Sequence, residues 1–232
     1  MPAKPPEEVF NQQHAAEYDQ RNAKLAPLWE ALHLLLGAVF YPLPAQARIL
    51  CVGAGTGAEI LALARRFPHW RFTAVDPSGP MLEVCRRRTT EAGIADRCEF
   101  HLGYVDTLPA APDYDAATAL LVSQFLLEPE ARTRFFRDIA ARLRPGGYLA
   151  SADLASGFNS ADYQTLLDIW LQLMLLADRP AEQVEKMRAA YGRDVAISSV
   201  AQIGGMIKAA GFANPVVFLQ TGLIHAWYAR RV

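Results

Sequence analysis

Glycines at 53, 55 and 57 and a carboxylate at 76 are the residues whose types and spacing point to chemistry. The apolar run Ile49-Leu50-Cys51-Val52 meets Gly53-Ala54-Gly55-Thr56-Gly57-Ala58-Glu59, after which the pattern turns helical. With no Cβ at three alternate positions, the turn can take positive φ and let a ligand approach the backbone. The helix that follows points unsatisfied N–H groups and the positive end of its dipole into the same space, which favours a polar or anionic part of a ligand. Twenty-one residues after Gly55, the run Arg71-Phe72-Thr73-Ala74-Val75 ends in Asp76, a carboxylate placed to accept both hydroxyls of a ribose. Loop and carboxylate together read as a nucleoside site. Each half alone has a plainer reading: Gly53-x-Gly55-x-x-Ala58 also fits the alanine-ended dinucleotide fingerprint, and Asp76 could simply cap the helix that begins near Gly79.

The elements that position these groups alternate from Arg48 onward. Strand 48–53 leads to helix 57–67, strand 71–76 to a helix over about 80–92, and strand 98–102 to the loop Gly103-Tyr104-Val105-Asp106. A fourth strand from Tyr114 to Leu121 precedes helix 129–143, and Arg144-Pro145-Gly146-Gly147 turns into a fifth from Tyr148 to Asp153. Such alternation predicts a Rossmann-like, doubly wound α/β fold: a mostly parallel seven-stranded sheet with helices on both faces. Ligands on these sheets bind beyond the carboxyl ends of the strands, where Gly53, Asp76, Tyr104, Leu121 and Asp153 fall.

The flanking segments complete a single domain over 1–232, with lid helices in 1–44, a cofactor-binding core in 45–153, a helical insertion in 154–195 and a final helix and hairpin in 196–232. Residues 1–6 are expected to be disordered. From Glu7 to Tyr41 the apolar spacing predicts two helices with a break near Asn22, ended by Pro42-Leu43-Pro44. Ser160–Ala177 and Pro180–Tyr191 read as the inserted helical pair, and Ser199-Val200-Ala201-Gln202 as a capping box opening a helix that stops at Gly211. Strands Val216–Gln220 and Leu223–Arg230, joined at Thr221-Gly222, form an antiparallel hairpin at the sheet's edge.

Composition narrows the partners. Charged residues are 20% of the 232 and nearly cancel to a net charge of −1, so no global field draws the chain to nucleic acid or acidic membranes. A small or neutral partner is the default, with a homodimer left open. The three cysteines, Cys51, Cys85 and Cys98, have no C-x-x-C spacing, which argues against a metal site and a disulfide framework and for the reduced cytoplasm. No apolar stretch is long enough to predict a membrane span.

Ile49 to Gly57, Ala74-Val75-Asp76-Pro77-Ser78-x-x-Met81-Leu82, Asp113-Tyr114-Asp115 and Leu143-Arg144-Pro145-Gly146-Gly147-Tyr148-Leu149, in this order, resemble the class I S-adenosylmethionine-dependent methyltransferase family. Phe10-x-x-x-x-Ala15-x-x-Tyr18-Asp19 is similar to the amino-terminal helix that covers the cofactor in its small-molecule members. The resemblance implies that Gly53, Ala54, Gly55 and Gly57 hold the methionyl end of S-adenosylmethionine and that Asp76 holds the ribose. It further implies that Pro77 and Met81 face the ribose or adenine, that Tyr104 and Val105 lie beside the adenine, and that Tyr18 and Leu121 border the cofactor. Gln124-Phe125-Leu126-Leu127-Glu128-Pro129, the late insertion and the hairpin also resemble the carboxy-S-adenosylmethionine synthases, which carboxylate the cofactor's methyl. By that likeness Arg188 would meet an added carboxylate. The loop, Pro77 and Tyr104 depart from the synthase pattern, so plain methyl transfer to a small molecule is the expected reaction.

Methyl transfer is an in-line displacement, so positioning can supply roughly 7–11 kcal/mol of the acceleration. A general base is needed only where the acceptor must lose a proton. His14 and Tyr18 on the lid and His225 in the last strand are the residues in view, with structural roles the commoner reading for each histidine. The fourth strand is followed by Leu121-Val122-Ser123-Gln124, without the N-P-P-Y signature of amide and nucleobase N-methyltransferases. Two alternatives remain at this point: a nicotinamide oxidoreductase, and a cofactor-binding protein without turnover.

Overall fold

The computed structural model describes residues 10–109, 114–157 and 160–232. The expected disorder of residues 1–6, Asp113 and the side chain of His14 fall outside what is described. The continuous apolar runs become the central strands: β1 (Arg48–Val52), β2 (Arg71–Asp76) and β4 (Tyr114–Leu120) are buried along nearly their whole length, as strands covered on both faces must be. With β3 (Cys98–Leu102), β5 (Leu143–Leu154), β6 (Phe212–Thr221) and β7 (Ile224–Arg231) they form one sheet of seven strands in the order β3-β2-β1-β4-β5-β7-β6. The first five pair in parallel, while β7 runs antiparallel to both β5 and β6.

Side-chain alternation along the strands builds two cores. Ile49 and Cys51 face α2 (Ala26–Val39), α3 (Ala58–Arg66) and α4 (Gly79–Glu91) through Leu36, Ile60, Leu63 and Leu82. Leu50 and Val52 face α5 (Pro129–Arg142) and α8 (Val200–Ala209) through Phe136, Ile139, Ile203 and Ile207. The break near Asn22 is real: α1 (Gln12–Asn22) passes through a single 3₁₀ turn, Ala23–Leu25, into α2. The insertion is α6 (Ala161–Leu176) and α7 (Ala181–Ala190), which pack with Leu32 of α2 over the end of the β5 and β7 pair. At α8 the reciprocal capping box between Ser199 and Gln202 is formed in full.

Two strands are longer than the sequence pattern predicts. β5 starts at Leu143, because the Pro-Gly-Gly segment is absorbed as an irregularity opposite Tyr114–Ala116. β6 starts at Phe212, with Asn214 at φ +40° and a register shift between Ala213 and Val216; Pro215 is tolerated there because β6 is the sheet's outer strand.

Beside the carboxyl ends of β4 and β5, a polar network is sealed from solvent. Asp153 and Arg132 are both essentially inaccessible, with Asp153 Oδ1 3.2 Å from an Arg132 guanidinium nitrogen. Ser123 Oγ donates to Asp153 Oδ2 at 2.8 Å and accepts from Arg132, which also donates to Ser198. Burial raises the Asp153 carboxyl to about 6, against the lowering effect of Arg132 and Ser123. Removing Arg132 would strand a buried carboxylate, a loss of about 3–5 kcal/mol. A raised native pKa means that stability declines as pH rises through that value. Arg132→Met is therefore expected to lower the urea midpoint strongly at pH 8 and to recover part of the loss at pH 5; an equal loss at both would show that Asp153 is not the charge left behind.

Candidate functional site

The strand order reverses between β1 and β4, and there the loop after β1 opens the crevice. Asp76, the last residue of β2, fastens that loop: its Oδ2 accepts the Gly55 N–H at 2.9 Å, and its Oδ1 accepts the Ser78 N–H at 2.8 Å. It does not cap α4, whose N-cap is Ser78, the Oγ accepting from Met81 N–H. Burial raises the Asp76 carboxyl above its ordinary value, while the Ser78 and Gly55 amides oppose the shift. Each oxygen keeps a further lone pair for a hydroxyl.

The glycines serve a purpose other than the one their spacing suggests. A Cβ on Gly53 would sit 2.4 Å from Val122 Cγ2, and one on Gly57 2.5 Å from Cys85 Sγ, with φ of +66° and +77° adding strain. They allow the loop after β4 and helix α4 to close on the turn. The amides of Gly53 and Ala54 both donate to Val75 O, and that of Gly57 to Ala54 O, so these N–H groups are not free for a ligand. At the start of α3, a carboxyl group of the protein itself is already present. Glu59 is 7% exposed and has its own backbone N–H as hydrogen-bond partner; burial raises its carboxyl to about 7.

A cavity of about 1050 Å³ lies beyond the strand ends. Tyr18, Gly53, Ala54, Gly55, Asp76, Pro77, Met81, Tyr104, Val105 and Leu121, all named from the sequence, line it. Gly57 and Arg188 do not. Gly57 is taken up by packing against Cys85, and Arg188 pairs with Asp168 at 2.8 Å on the surface. His225 is buried in β7 with Nδ1 3.2 Å from Leu223 O, also off the cavity. Glu59, His33 and the apolar walls Trp29, Val122 and Phe125 also line the cavity, beyond the residues singled out for the site from the sequence, and Phe10 of the covering segment lines it too. The period of α2 places Trp29 and His33 on one face, but nothing in it says that this face meets a cavity. Burial lowers the His33 imidazole to about 4, leaving it neutral at ordinary pH, and raises the Tyr18 phenol.

Helix α1 is clasped down over this space. Thr56 Oγ1 donates to Asp19 Oδ1 at 2.9 Å and accepts from Arg88, whose guanidinium lies 2.9 Å from Asp19 Oδ2. Ser78 Oγ donates to Phe10 O at 2.6 Å, and Arg179 donates to Asn22 Oδ1 at 2.8 Å. No cluster of ligating side chains for a metal occurs among the described residues, and no helix among them is long and apolar enough to cross a membrane.

Comparison with known proteins agrees with this geometry. Residues 49–147 match the methyltransferase domain family, and the chain is similar to the class I S-adenosylmethionine-dependent methyltransferases, for which S-adenosylmethionine is the general cofactor. It is 32% identical over 188 residues to aclacinomycin 10-hydroxylase RdmB of Streptomyces purpurascens, covering 75% of this chain and 48% of that protein. It is 33% identical over 128 residues to a fatty-acid O-methyltransferase of Mycolicibacterium smegmatis, covering 55% and 44%. The chain thus spans about half the length of these curated relatives. Among solved structures, the [4+2]-cyclase SpnF shares the fold at a TM-score of 0.68 and 17% identity, over 100% of this chain and 98% of that one. A candidate O-methyltransferase from Nostoc punctiforme shares it at 0.68 and 19%, over 94% and 59%.

Two outcomes follow from the geometry. Charge-assisted bonds to Asp76 are worth roughly 1.5–3 kcal/mol each, so Asp76→Ala, checked for an unchanged circular dichroism spectrum, is expected to bind S-adenosylhomocysteine at least about tenfold more weakly by calorimetry. Affinity equal to the parent's would remove Asp76 from the site. Asp19→Ala, which opens the clasp, is expected to release the same ligand several-fold faster in stopped-flow dissociation, and an unchanged rate would make the clasp a matter of packing only.

Proposed function

We propose that the protein binds S-adenosylmethionine and transfers its methyl group to a small-molecule acceptor held in the apolar part of the same cavity. One observation carries this reading: a nucleoside-type carboxylate clamp and an aromatic-walled chamber share a single space under a lid. Sites for one drug-sized ligand run to roughly 300–1,000 Å³, so about 1050 Å³ suits a cofactor with a second molecule beside it.

When bound, the cofactor supplies a methyl group already activated by its sulfonium charge. The chain's residues do the holding. Asp76 takes the ribose hydroxyls, the turn from Gly53 to Gly55 takes the methionyl arm, Pro77 and Met81 flank the ribose, and Tyr104 and Val105 flank the adenine. Phe10, Tyr18, Trp29, Leu121 and Phe125 exclude water and align the acceptor, the effect on which such a displacement mainly depends. His33, kept neutral by burial, can accept one hydrogen bond from an acceptor hydroxyl and is a weak base.

Arg188 turned toward Asp168 favours plain transfer over carboxy-cofactor synthesis, since the carboxylate of that cofactor would lack its arginine in the cavity. The antiparallel β7 and β6 after β5 stand where a nicotinamide fold would carry its second mononucleotide half. Because one relative bears a hydroxylase name, cofactor binding without methyl transfer is the reading to test against. The three free thiols support a reducing, cytoplasmic setting. Calorimetry is expected to give binding of S-adenosylhomocysteine and none of NAD, and the reverse would overturn the proposal. Incubation with S-adenosylmethionine and prephenate is expected to yield no carboxylated cofactor by mass spectrometry; its appearance, lost in Arg188→Ala, would install the synthase reaction instead.

A further inference from the structure

Helix α2 leads into the start of β1 and α3 leaves its end, so both run from the carboxyl edge of the sheet toward the opposite edge, packed against each other. Between them the cavity continues as a groove. Trp29, Glu30, His33 and Leu34 line it from α2, and Ala58, Leu61, Ala62, Arg65 and Arg66 from α3, at the three- and four-residue spacing of a single helix face. From Ala58 to Arg65 the helix advances roughly 10 Å. Leu61 is buried, and the small side chain of Ala62 leaves the groove open.

Arg66 closes the far end. Its side chain crosses from α3 to α2 at Gly37, where an added Cβ would lie 3.1 Å from the arginine's Cδ. Glycine inside a helix is destabilising relative to alanine, and here it leaves the space that the crossing needs. The last turn of a helix favours cations, which accounts for two arginines there but not for the crossing. Both are exposed, and among the described residues neither their side chains nor that of Glu30 makes a hydrogen bond or an ion pair. The acids that line the cavity from these helices, Glu30 and Glu59, stand in the upper part of the groove, so its lower end is positive. His33, midway, is kept neutral by burial.

We infer that this groove holds the body of the methyl acceptor, and that the acceptor is an elongated amphipathic acid with its carboxylate at Arg65 and Arg66 and its methyl-accepting group beside the cofactor. The assignment rests on the proposed methyl transfer. A guanidinium without a partner can take a carboxylate through two parallel hydrogen bonds. An apolar chain between the two ends displaces water from Trp29, Leu34, Leu61 and Ala62. The fixed separation of the ends makes the groove a ruler, because a short acid cannot reach both.

Calorimetry with decanoate, decanol and butanoate, with and without S-adenosylhomocysteine, tests this on the parent, Arg66→Gln and Ala62→Leu. The parent is expected to bind decanoate at least about fivefold more tightly than decanol or butanoate. Its margin over decanol should narrow with added salt, as an exposed ion pair requires. Arg66→Gln should bring decanoate to the level of decanol and leave decanol unchanged. Ala62→Leu, which fills the groove, should weaken decanoate and decanol alike by about fivefold or more. Both variants should keep the parent's circular dichroism spectrum and its affinity for S-adenosylhomocysteine; if Ala62→Leu does not fold, the decanoate-to-decanol ratio in Arg66→Gln decides alone. Equal binding of decanoate and decanol by the parent, no effect of either substitution, or competition between decanoate and S-adenosylhomocysteine would overturn the assignment. S-adenosylhomocysteine bound with no decanoate bound would overturn the inference and leave methyl transfer standing. Decanoate bound with no S-adenosylhomocysteine bound would overturn the methyl-transfer reading and with it the acceptor role of the groove.

Discussion

The carboxylate of Asp76 is the interaction on which the site depends. Its two oxygens hold the Gly55 and Ser78 amides, joining the turn after β1 to the turn after β2. Parallel strands set these two turns side by side, since β1 and β2 pair residue for residue from Arg48↔Arg71 to Val52↔Val75. Val75 O then takes the amides of Gly53 and Ala54, so the loop is held by the strand beside it before any ligand arrives. Ser78, fixed by the same carboxylate, caps α4 and reaches Phe10 on the lid. One buried carboxyl thus connects the sheet, the loop, a helix cap and the cover.

The molecule treats its buried charges in two ways. Asp153 is answered within the protein by Arg132 and Ser123, a closed network that ties the ends of β4 and β5 to α5 and, through Ser198, to the entry of α8. Asp76 and Glu59, at the cavity, have backbone amides as hydrogen-bond partners, with Arg88 also lowering the Glu59 pKa. Preorganised polarity of this kind costs stability in the free protein and lowers what must be reorganised on binding. The apolar walls around it, Phe10, Trp29, Leu121 and Phe125, keep the local dielectric low, which strengthens each polar contact a ligand makes. Leu121, at φ +58°, is a strained position just beyond the end of β4, and its N–H is held by Ala152 O at 2.7 Å.

Much of this was legible in the sequence because strands buried on both faces are continuous apolar runs, and Ile49–Val52 and Tyr114–Leu120 are just that. The convergence of these cavity residues followed from strand ends: Gly53, Asp76, Tyr104 and Leu121 had to meet once the sheet was parallel. The unread parts have physical reasons. Leu143–Gly147 looks like a turn, and becomes strand only because a bulge opposite Tyr114 absorbs it. Pro215 reads as a strand breaker, yet an outer strand does not need its N–H. Glu59 looks like an ordinary acid in the first turn of a helix, and only the closure of α1 and α4 around it reveals an enclosed charge. Arg188 was reached by counting along a resemblance, and the local geometry of α7 carries its side chain to Asp168 instead. Gly57 was read as a ligand contact, when the nearest atom to its missing Cβ is a cysteine sulfur.

The most direct measurement of this account is a crystal structure of the protein soaked with S-adenosylhomocysteine. The ribose hydroxyls are predicted within hydrogen-bonding distance of Asp76, which keeps its bonds from Gly55 and Ser78, with the adenine beside Tyr104 and Val105 and the lid closed. A ligand bound elsewhere, or a ribose out of reach of Asp76 in the same cavity, would contradict it.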